Sequence, residues 1–482
     1  MTREVDGAII YGAEDIDVSG IEYDSKMIQP GSVFVAIRGF ATDGNKYIDD
    51  AIAKGAVAVV TDQECNCSVP QVVVPDARRA LADLAAKLYN YANNRIKICG
   101  VTGTNGKTTS CFLLRNLFYA RSKRTGIITS LEYDTTKDKI AASRTTPEAL
   151  DIHRLLHIMK NNFCTNAIIE ISSHALVLHR VRNLDIQVAL YTNFTRDHLD
   201  FHNTMEEYLE AKAKLLDFVN QENKWAVINY DCPEFMSLKD RITGSYMTYS
   251  LSDPGADVYL EHFTLNPEGS RFEIHSPMGN RAIKFRLPGR FNLYNALGAA
   301  TAAMASGIDI DSIKTGLENS KVIPGRLERI KCNAPFSIFV DYAHTPDAIT
   351  RTIESLRELG DGRILTLFGC GGDRDRGKRP LMGKAATEAS NYSVLTSDNP
   401  RSEDPEQIIE DVKPGFAEGA RVDTISDRDI AISHLLGQAK EGDILLLAGK
   451  GAEPYQDING VKHPFLDKDV ALTHLDKMGY SK

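Results

Sequence analysis

Short apolar runs recur along this chain, bounded by glycine or polar residues and separated by longer stretches in which alanine and leucine repeat with helical spacing. The runs VFVAI at 33–37 and AVAVV at 56–60 flank an alanine-rich stretch, which predicts a small α/β unit. A second alanine-rich stretch, 77–92, leads into Asn93-Asn94-Arg95, and an apolar strand at 96–101 then runs directly into a glycine-rich loop. The first domain boundary therefore falls near residue 94, giving an N-terminal domain over 1–94. Beyond it AIIEI at 167–171, VALYTN at 188–193 and AVIN at 226–229 alternate with helical stretches, predicting a parallel sheet with crossover helices. Between 245 and 288 the pattern shifts to short alternating runs such as SRFEIHS and RAIKFRL, which read as an antiparallel ribbon inserted in this central domain. A helical segment at 295–306 precedes Pro324-Gly325, a hinge that closes the central domain at 95–324. FSIFVDYA, RILTLFGC, YSVLTSD and DILLLAGK then alternate with helical stretches, predicting a Rossmann-like, doubly wound α/β domain over 325–482.

Composition narrows this picture. A chain of 482 residues accommodates about three domains at the usual domain size. With 43% hydrophobic and 25% charged residues it is neither disordered nor collagen-like. The net charge of -9 opposes nonspecific attraction to nucleic acid, so an anionic ligand would need locally placed cations. No run approaches the length needed to span a bilayer, and MTREVDGAII lacks the apolar core of a signal peptide. A cytoplasmic protein without membrane insertion is expected. Its 8 cysteines are sparse, and Cys65 and Cys67 have no second pair to complete a zinc site, so reduced thiols are expected.

The chemistry concentrates first in GVTGTNGKTT at 100–109. This run follows a strand and opens a helix, where free N–H groups and the helix dipole favour phosphate. Gly103 and Gly106 let the backbone approach phosphate oxygens, Lys107 can reach the β and γ groups, and the Thr108 hydroxyl can hold Mg²⁺. The rest of the loop, Thr104, Asn105 and Thr109, completes the nucleotide cradle. The spacing departs from a strict Walker A motif, because Val101 stands five positions before Gly106. Glu170 ends the run AIIE at the edge of the sheet where open α/β folds bind ligands. In TNFTRDHLDFH at 192–202, His198 lies among further acids and an imidazole. The helical stretch 206–216 puts Tyr208, Ala211 and Leu215 on one buried stripe, with Lys212 at its edge.

Further motifs follow in order: Arg144-Thr145-Thr146-Pro147, EISSHALVLHRV at 170–181, GRFNLYNALGA at 289–299, PGRLERI at 324–330 and VDYAHTPD at 340–347. FGCGGDRDRGKRP at 368–380, DNPR at 398–401 and GKGAEPYQ at 449–456 complete the series. Together with GTNGKTT they resemble the Mur ligase family over nearly the whole chain. The match is to the branch that adds meso-diaminopimelate to UDP-N-acetylmuramoyl-L-alanyl-D-glutamate in peptidoglycan precursor synthesis. The resemblance implies ATP-dependent amide formation through an acyl phosphate, a three-domain α/β architecture and a monomer. It also implies Mg²⁺ held by Thr108, Glu170, His198 and a Lys212 carbamylated by CO₂. Asn292 and Asn295 would face the adenine, with Arg326 and Asp341 holding the nucleotide from the last domain. Tyr23, Ser25 and the turn Phe40, Ala41, Thr42 match uridine-nucleotide positions, and Thr145, Thr146, Ser172 and Arg180 match dipeptide positions.

The amino-acid pocket implied by the resemblance comprises Arg374, Asp398, Asn399, Pro400, Arg401, Gly449 and Glu453. Arg401 would grip the distal carboxylate of diaminopimelate, as a guanidinium pairs bidentately with a carboxylate and would find no partner on a lysine ammonium. Glu453 would receive the distal ammonium. A lysine-adding branch of the family and a folylpolyglutamate-synthase-like ligase remain as alternatives. Leu178 and Ala452 depart from the family pattern, where glutamine and histidine are common.

Overall fold

The computed structural model describes residues 5–480 apart from 14, 40, 41 and 90, and the backbone alone at 93 and 94. Three sheets, each flanked by helices, follow one another along the chain. The first has the order Ile9–Tyr11, Gln71–Val73, Ala58–Thr61, Ser32–Val35, Gly20–Glu22, parallel except for its first strand. Its apolar face packs on the helix Ala77–Leu88, whose N-cap Asp76 accepts from the Arg78 and Arg79 amides.

The central sheet has eleven strands. At its middle Lys97–Thr102 lies between Asn166–Glu170 and Ile186–Tyr191, all parallel. The run NAIIE is buried at every position, as a strand covered by helices on both faces must be. One face carries the helices Lys107–Ala120 and Arg290–Ala305. The latter is almost wholly buried, and its alanines and glycine permit close packing. Ala149–Asn161 and Met205–Ala213 cover the other face.

Two features differ from the expectation for this domain. SYMTYS at Ser245–Ser250 belongs to the parallel part, pairing parallel with Trp225–Asn229, and only Val258–Asn266, Gly269–His275 and Arg281–Phe285 form the antiparallel ribbon. That ribbon continues the same sheet because its first strand pairs parallel with Ser245–Ser250. The opposite edge ends in a hairpin, Glu132–Asp134 with Lys139–Ala141, which the apolar pattern does not announce because its outer strand is exposed throughout.

The last sheet is six-stranded, with Ser337–Asp341, Ile444–Ala448, Ile364–Phe368, Tyr392–Leu395 and Val422–Thr424 parallel in that order and Glu328–Arg329 antiparallel at the edge. A hairpin of Tyr455–Ile458 and Val461–Pro464 stands beside it. The eight cysteines are free thiols, with the sulfurs of Cys65 and Cys67 3.5 Å apart. Among the described residues no helix is long and apolar enough to cross a membrane.

Candidate functional site

The carboxyl ends of the central and last sheets open onto a common cavity of about 560 Å³. From the central domain it is lined by the loop 104–109, Ser130, Thr145, Glu170, Ser172, His198 and Asn295, and from the last domain by Arg326, Asp341, Tyr342 and His344. Strand ends of open α/β sheets bind ligands because loops and helix N-termini converge there.

The glycine-rich loop is held before any ligand arrives. The Asn105 amide donates to Asn193 Oδ1 at 2.9 Å, Thr192 Oγ1 donates to the Asn105 carbonyl at 2.7 Å, and the Thr195 amide donates to Thr104 Oγ1 at 3.0 Å. Gly103 has φ +142°, and a Cβ there would overlap Thr192 Oγ1. Gly106, at φ +81°, begins the helix Lys107–Ala120, and a Cβ would overlap Asn295 Oδ1. Both positions therefore require glycine. Lys107 folds over the loop, donating to the Gly103 and Thr104 carbonyls at 3.1 and 2.9 Å. Burial lowers its pKa, with Glu170 opposing the shift.

Beside Lys107, Glu170 Oε2 accepts from the Thr108 hydroxyl at 2.9 Å and from the Ser130 amide at 3.0 Å, while the Thr108 and Ser130 hydroxyls are 2.9 Å apart. Two hydroxyls and a carboxylate next to a phosphate-binding loop form an all-oxygen donor set, which suits a hard divalent cation such as Mg²⁺. Ser130 was not foreseen: a single serine after a strand gives no pattern. Arg326 Nη2 reaches across from the last domain to both hydroxyls at 3.3 Å, its guanidinium 4.6 Å from the Tyr342 ring centroid.

His198, at φ +55°, has Nε2 3.4 Å from Asp197 Oδ2 and meets the His174 ring edge-on at 4.8 Å. Burial pushes its pKa down to about 4, so the imidazole is neutral and able to ligate a metal at physiological pH. Lys212, at the edge of the buried stripe of its helix, is itself buried, 1% exposed. Its Nζ donates to the Gly103 carbonyl at 2.8 Å and lies 4.4 Å from the Tyr208 ring centroid. Burial first, and the charge of Lys107 second, hold its pKa well below the ordinary lysine value. Lys212 thus lies behind the phosphate loop and is not a lining residue of the cavity.

One nucleotide expectation changes. Asn295 lines the cavity, but Asn292, one helical turn earlier and 1% exposed, donates to the Pro288 carbonyl at 2.8 Å and accepts from Asn295 Nδ2 at 3.2 Å. It braces Asn295 instead of facing the cavity. Asp341 accepts from the backbone amides of Leu327 at 2.6 Å and Ala343 at 2.9 Å, so its carboxylate fixes the hinge that carries Arg326. Burial raises its pKa against the neighbouring Arg326 charge.

Of the four dipeptide positions, Thr145 and Ser172 line the cavity while Thr146 and Arg180 do not. Thr146 Oγ1 donates to the Glu170 carbonyl at 2.7 Å and accepts from the Ser172 amide at 3.1 Å, and Ser172 caps a short helix through Ala175. Thr145 faces the cavity. Arg180 pairs with Glu148 at 2.9 Å, a carboxylate it shares with Arg144 and with Arg78 of the first domain. Of the uridine positions, Tyr23 donates to Asp151 Oδ2 at 2.7 Å across the seam between the first two domains, Ser25 is buried, and Thr42 is exposed beside Tyr47. Phe40 and Ala41 lie outside the described residues.

In the last domain Asp398, Asn399 and Pro400 are buried and Arg374 is exposed. Arg401, at φ +51°, is bonded through its backbone to the hairpin at Asp457 and Asn459, and its Nη1 donates to the Gly372 carbonyl at 2.7 Å. At Gly449, φ +111°, a Cβ would lie 2.6 Å from Asp398 Oδ2. Glu453 Oε2 accepts from Asn399 at 2.7 Å and from Lys450 at 2.8 Å, a partner the motif reading passed over.

Family models match at residues 17–89 (Mur ligase family, catalytic domain), 101–303 (Mur ligase middle domain) and 325–451 (Mur ligase, glutamate ligase domain). A relative from Geobacillus thermodenitrificans is 40% identical over 461 residues, 94% of each chain. The chain belongs to the Mur ligase family. A Gloeobacter violaceus relative is 41% identical over 470 residues, covering 96% of this Mur ligase and 95% of its own length. Both relatives are named UDP-N-acetylmuramoyl-L-alanyl-D-glutamate--2,6-diaminopimelate ligase. A solved structure of a ligase of that name is 35% identical, covers 96% of each chain and superposes with a TM-score of 0.66. The α/β fold of this Mur ligase, with its three successive sheets, is thus the family's.

Proposed function

We propose that this Mur ligase adds meso-diaminopimelate to UDP-N-acetylmuramoyl-L-alanyl-D-glutamate, using ATP, in cytoplasmic peptidoglycan precursor synthesis. The observation that carries the reading is full-length similarity to relatives of that name, joined to the arginine of DNPR, Arg401, whose guanidinium would pair with a distal carboxylate. The proposed domains are 1–94 for the uridine nucleotide, 95–324 for ATP and 325–482 for the amino acid, acting as a monomer.

In this reading the γ-carboxylate of the D-glutamyl residue attacks the γ-phosphorus of ATP, forming an acyl phosphate and releasing ADP. The free amine of diaminopimelate then attacks the acyl carbon, phosphate leaves, and the nitrogen gives up a proton. The chain contributes position and charge. The 103–109 loop cradles the phosphates, Lys107 offsets charge on the transferring group, and Arg326 brings a cation from the last domain to the same oxygens. Mg²⁺, when bound, would neutralise phosphate charge at Thr108, Glu170 and His198. Lys212 would join this set as a carbamate formed with CO₂, a reaction favoured by its depressed pKa, since only the neutral amine is nucleophilic. Closure of the last domain over the cavity would keep water from the acyl phosphate.

The test is ATP-dependent phosphate release with the UDP-muramoyl dipeptide and a panel of amino acids. Release with meso-diaminopimelate is expected; release with L-lysine alone would overturn the substrate reading, and release with a folyl substrate and glutamate would favour the other alternative. Arg401→Ala should raise the apparent KM for diaminopimelate at least tenfold while leaving that for ATP within twofold.

A further inference from the structure

Lys450 is 0% exposed, and nothing so far accounts for an ammonium buried in the last domain. Desolvating an unpaired ammonium costs several kcal/mol, so the group persists only where its partners are fixed. Those partners belong to the amino-acid pocket. Nζ donates to Asn399 Oδ1 at 3.1 Å and to Glu453 Oε2 at 2.8 Å, while Asn399 Nδ2 donates to the same Glu453 oxygen at 2.7 Å. The Asp457 amide adds a bond to Asn399 Oδ1 at 2.9 Å, and the Glu453 amide donates to the Lys450 carbonyl at 2.9 Å. The triangle of Lys450, Asn399 and Glu453 therefore joins the DNPR segment, the GKG turn and the hairpin into one unit.

We infer that Lys450 is a positioning residue of the amino-acid site: it locks Asn399 and Glu453 together and keeps Glu453 a carboxylate whose remaining acceptor capacity faces the distal ammonium of the incoming diamino acid. The inference rests on the diaminopimelate reading above. A carboxylate has about four acceptor sites, and the Lys450 and Asn399 bonds both fall on Oε2, so an arriving cation is directed to the rest of the group. Burial pushes the Glu453 carboxyl up, but the Lys450 charge, with bonds from Lys450, Asn399 and Tyr455, holds it below its ordinary value. The other charged or titratable groups facing it are Tyr342 on the neighbouring strand end and Arg428 beneath, the latter already paired with Asp467. Neither of these would replace Lys450 as a cation on Glu453. Without Lys450 the Glu453 pKa rises, its proton is retained to higher pH, and it no longer receives an ammonium there.

The experiment measures phosphate release by the full chain with the UDP-muramoyl dipeptide, varying meso-diaminopimelate from pH 3.5 to 9, for the wild type, Lys450→Met and Lys450→Arg. Lys450→Met is expected to raise the KM for diaminopimelate at least tenfold, leave the KM for ATP within twofold, and move the acid limb of kcat/KM for diaminopimelate up by about one pH unit. Lys450→Arg keeps the charge and should leave that limb in place while recovering part of the KM. An unmoved limb in a folded Lys450→Met protein, or equal rises in both KM values, overturns the inference. If Lys450→Met does not fold, Lys450→Arg decides: an acid limb displaced despite the retained charge overturns it, and an unmoved limb supports it. A wild type that releases no phosphate with diaminopimelate refutes the substrate reading itself and the inference with it, and is seen before any variant is compared.

Discussion

Beneath the amino-acid pocket, Arg428 and Asp467 form an ion pair in which both side chains are 0% exposed. Nε donates to Oδ1 at 2.7 Å and Nη2 to Oδ2 at 2.6 Å, a bidentate arrangement. The same guanidinium donates to the Ala448 carbonyl at 3.0 Å and the Ser397 carbonyl at 3.4 Å, immediately before Gly449 and Asp398. One buried group thus ties together the two strand ends that carry the pocket. Asp467→Ala removes the counter-charge and leaves the guanidinium with carbonyls alone. Breaking one partner of a buried pair costs about 3–5 kcal/mol, and at about 2–4 °C per kcal/mol for a domain near 150 residues the last domain should melt about 6–20 °C earlier. Scanning calorimetry of the full chain reads this as a displaced transition. Arg428→Met combined with Asp467→Leu removes both charges and should recover at least half of the loss, because no unpaired ion remains. A drop under about 2 °C for Asp467→Ala, or a double variant no better than the single one, would refute the assignment of the loss to a stranded charge.

Three further outcomes are expected, two at the site and one in the helix Ala149–Asn161. Glu170→Gln keeps an acceptor for Thr108 and Ser130 but loses the charge a divalent cation needs, so kcat should fall about 10²–10³-fold with a raised Mg²⁺ requirement; an unchanged magnesium titration would exclude Glu170 as a ligand. Lys212→Ala should be inactive and regain activity with added short carboxylates that stand in for a carbamate, and a variant active without them would remove Lys212 from the chemistry. His153, buried at 0% exposure with its pKa pushed down to about 4 by burial, is neutral in the folded chain, whereas the unfolded chain protonates near the ordinary 6.5. Its contribution is therefore present above pH 6.5 and lost as pH falls toward 4, by about 3 kcal/mol. His153→Phe should flatten the fall in melting temperature over that window, and an unaltered slope would show that other groups carry it.

What could be read in the sequence was what is contiguous. The loop 103–109 declares itself because strand, glycines, lysine and hydroxyl follow within one helix N-terminus, and Glu170 because a carboxylate ends a fully buried strand. Parallel pairing of Ser245–Ser250 was not legible, since alternation describes which faces are buried and not the direction of the neighbour. Lys212 is more instructive. Helical periodicity alone assigns a lysine beside a buried stripe to solvent, and here it is buried, donating a hydrogen bond to the Gly103 carbonyl 109 residues away in sequence. The same holds for Lys450, whose partner Asn399 is 51 residues distant, and for Arg326 reaching Thr108 across 218. Each is a basic side chain whose placement depends on an acceptor supplied by another element, so the local pattern contains only half of the interaction. Motif similarity pointed to Arg326 as a nucleotide contact without its bonds to Thr108 and Ser130, and passed over Lys450 altogether, because a motif records residues at positions while the desolvation that makes a charge consequential arises only when the two halves meet. Buried basic groups are therefore where the folded chain adds most to its sequence, and in this Mur ligase two of them, Lys212 and Lys450, bond the phosphate loop and the amino-acid pocket.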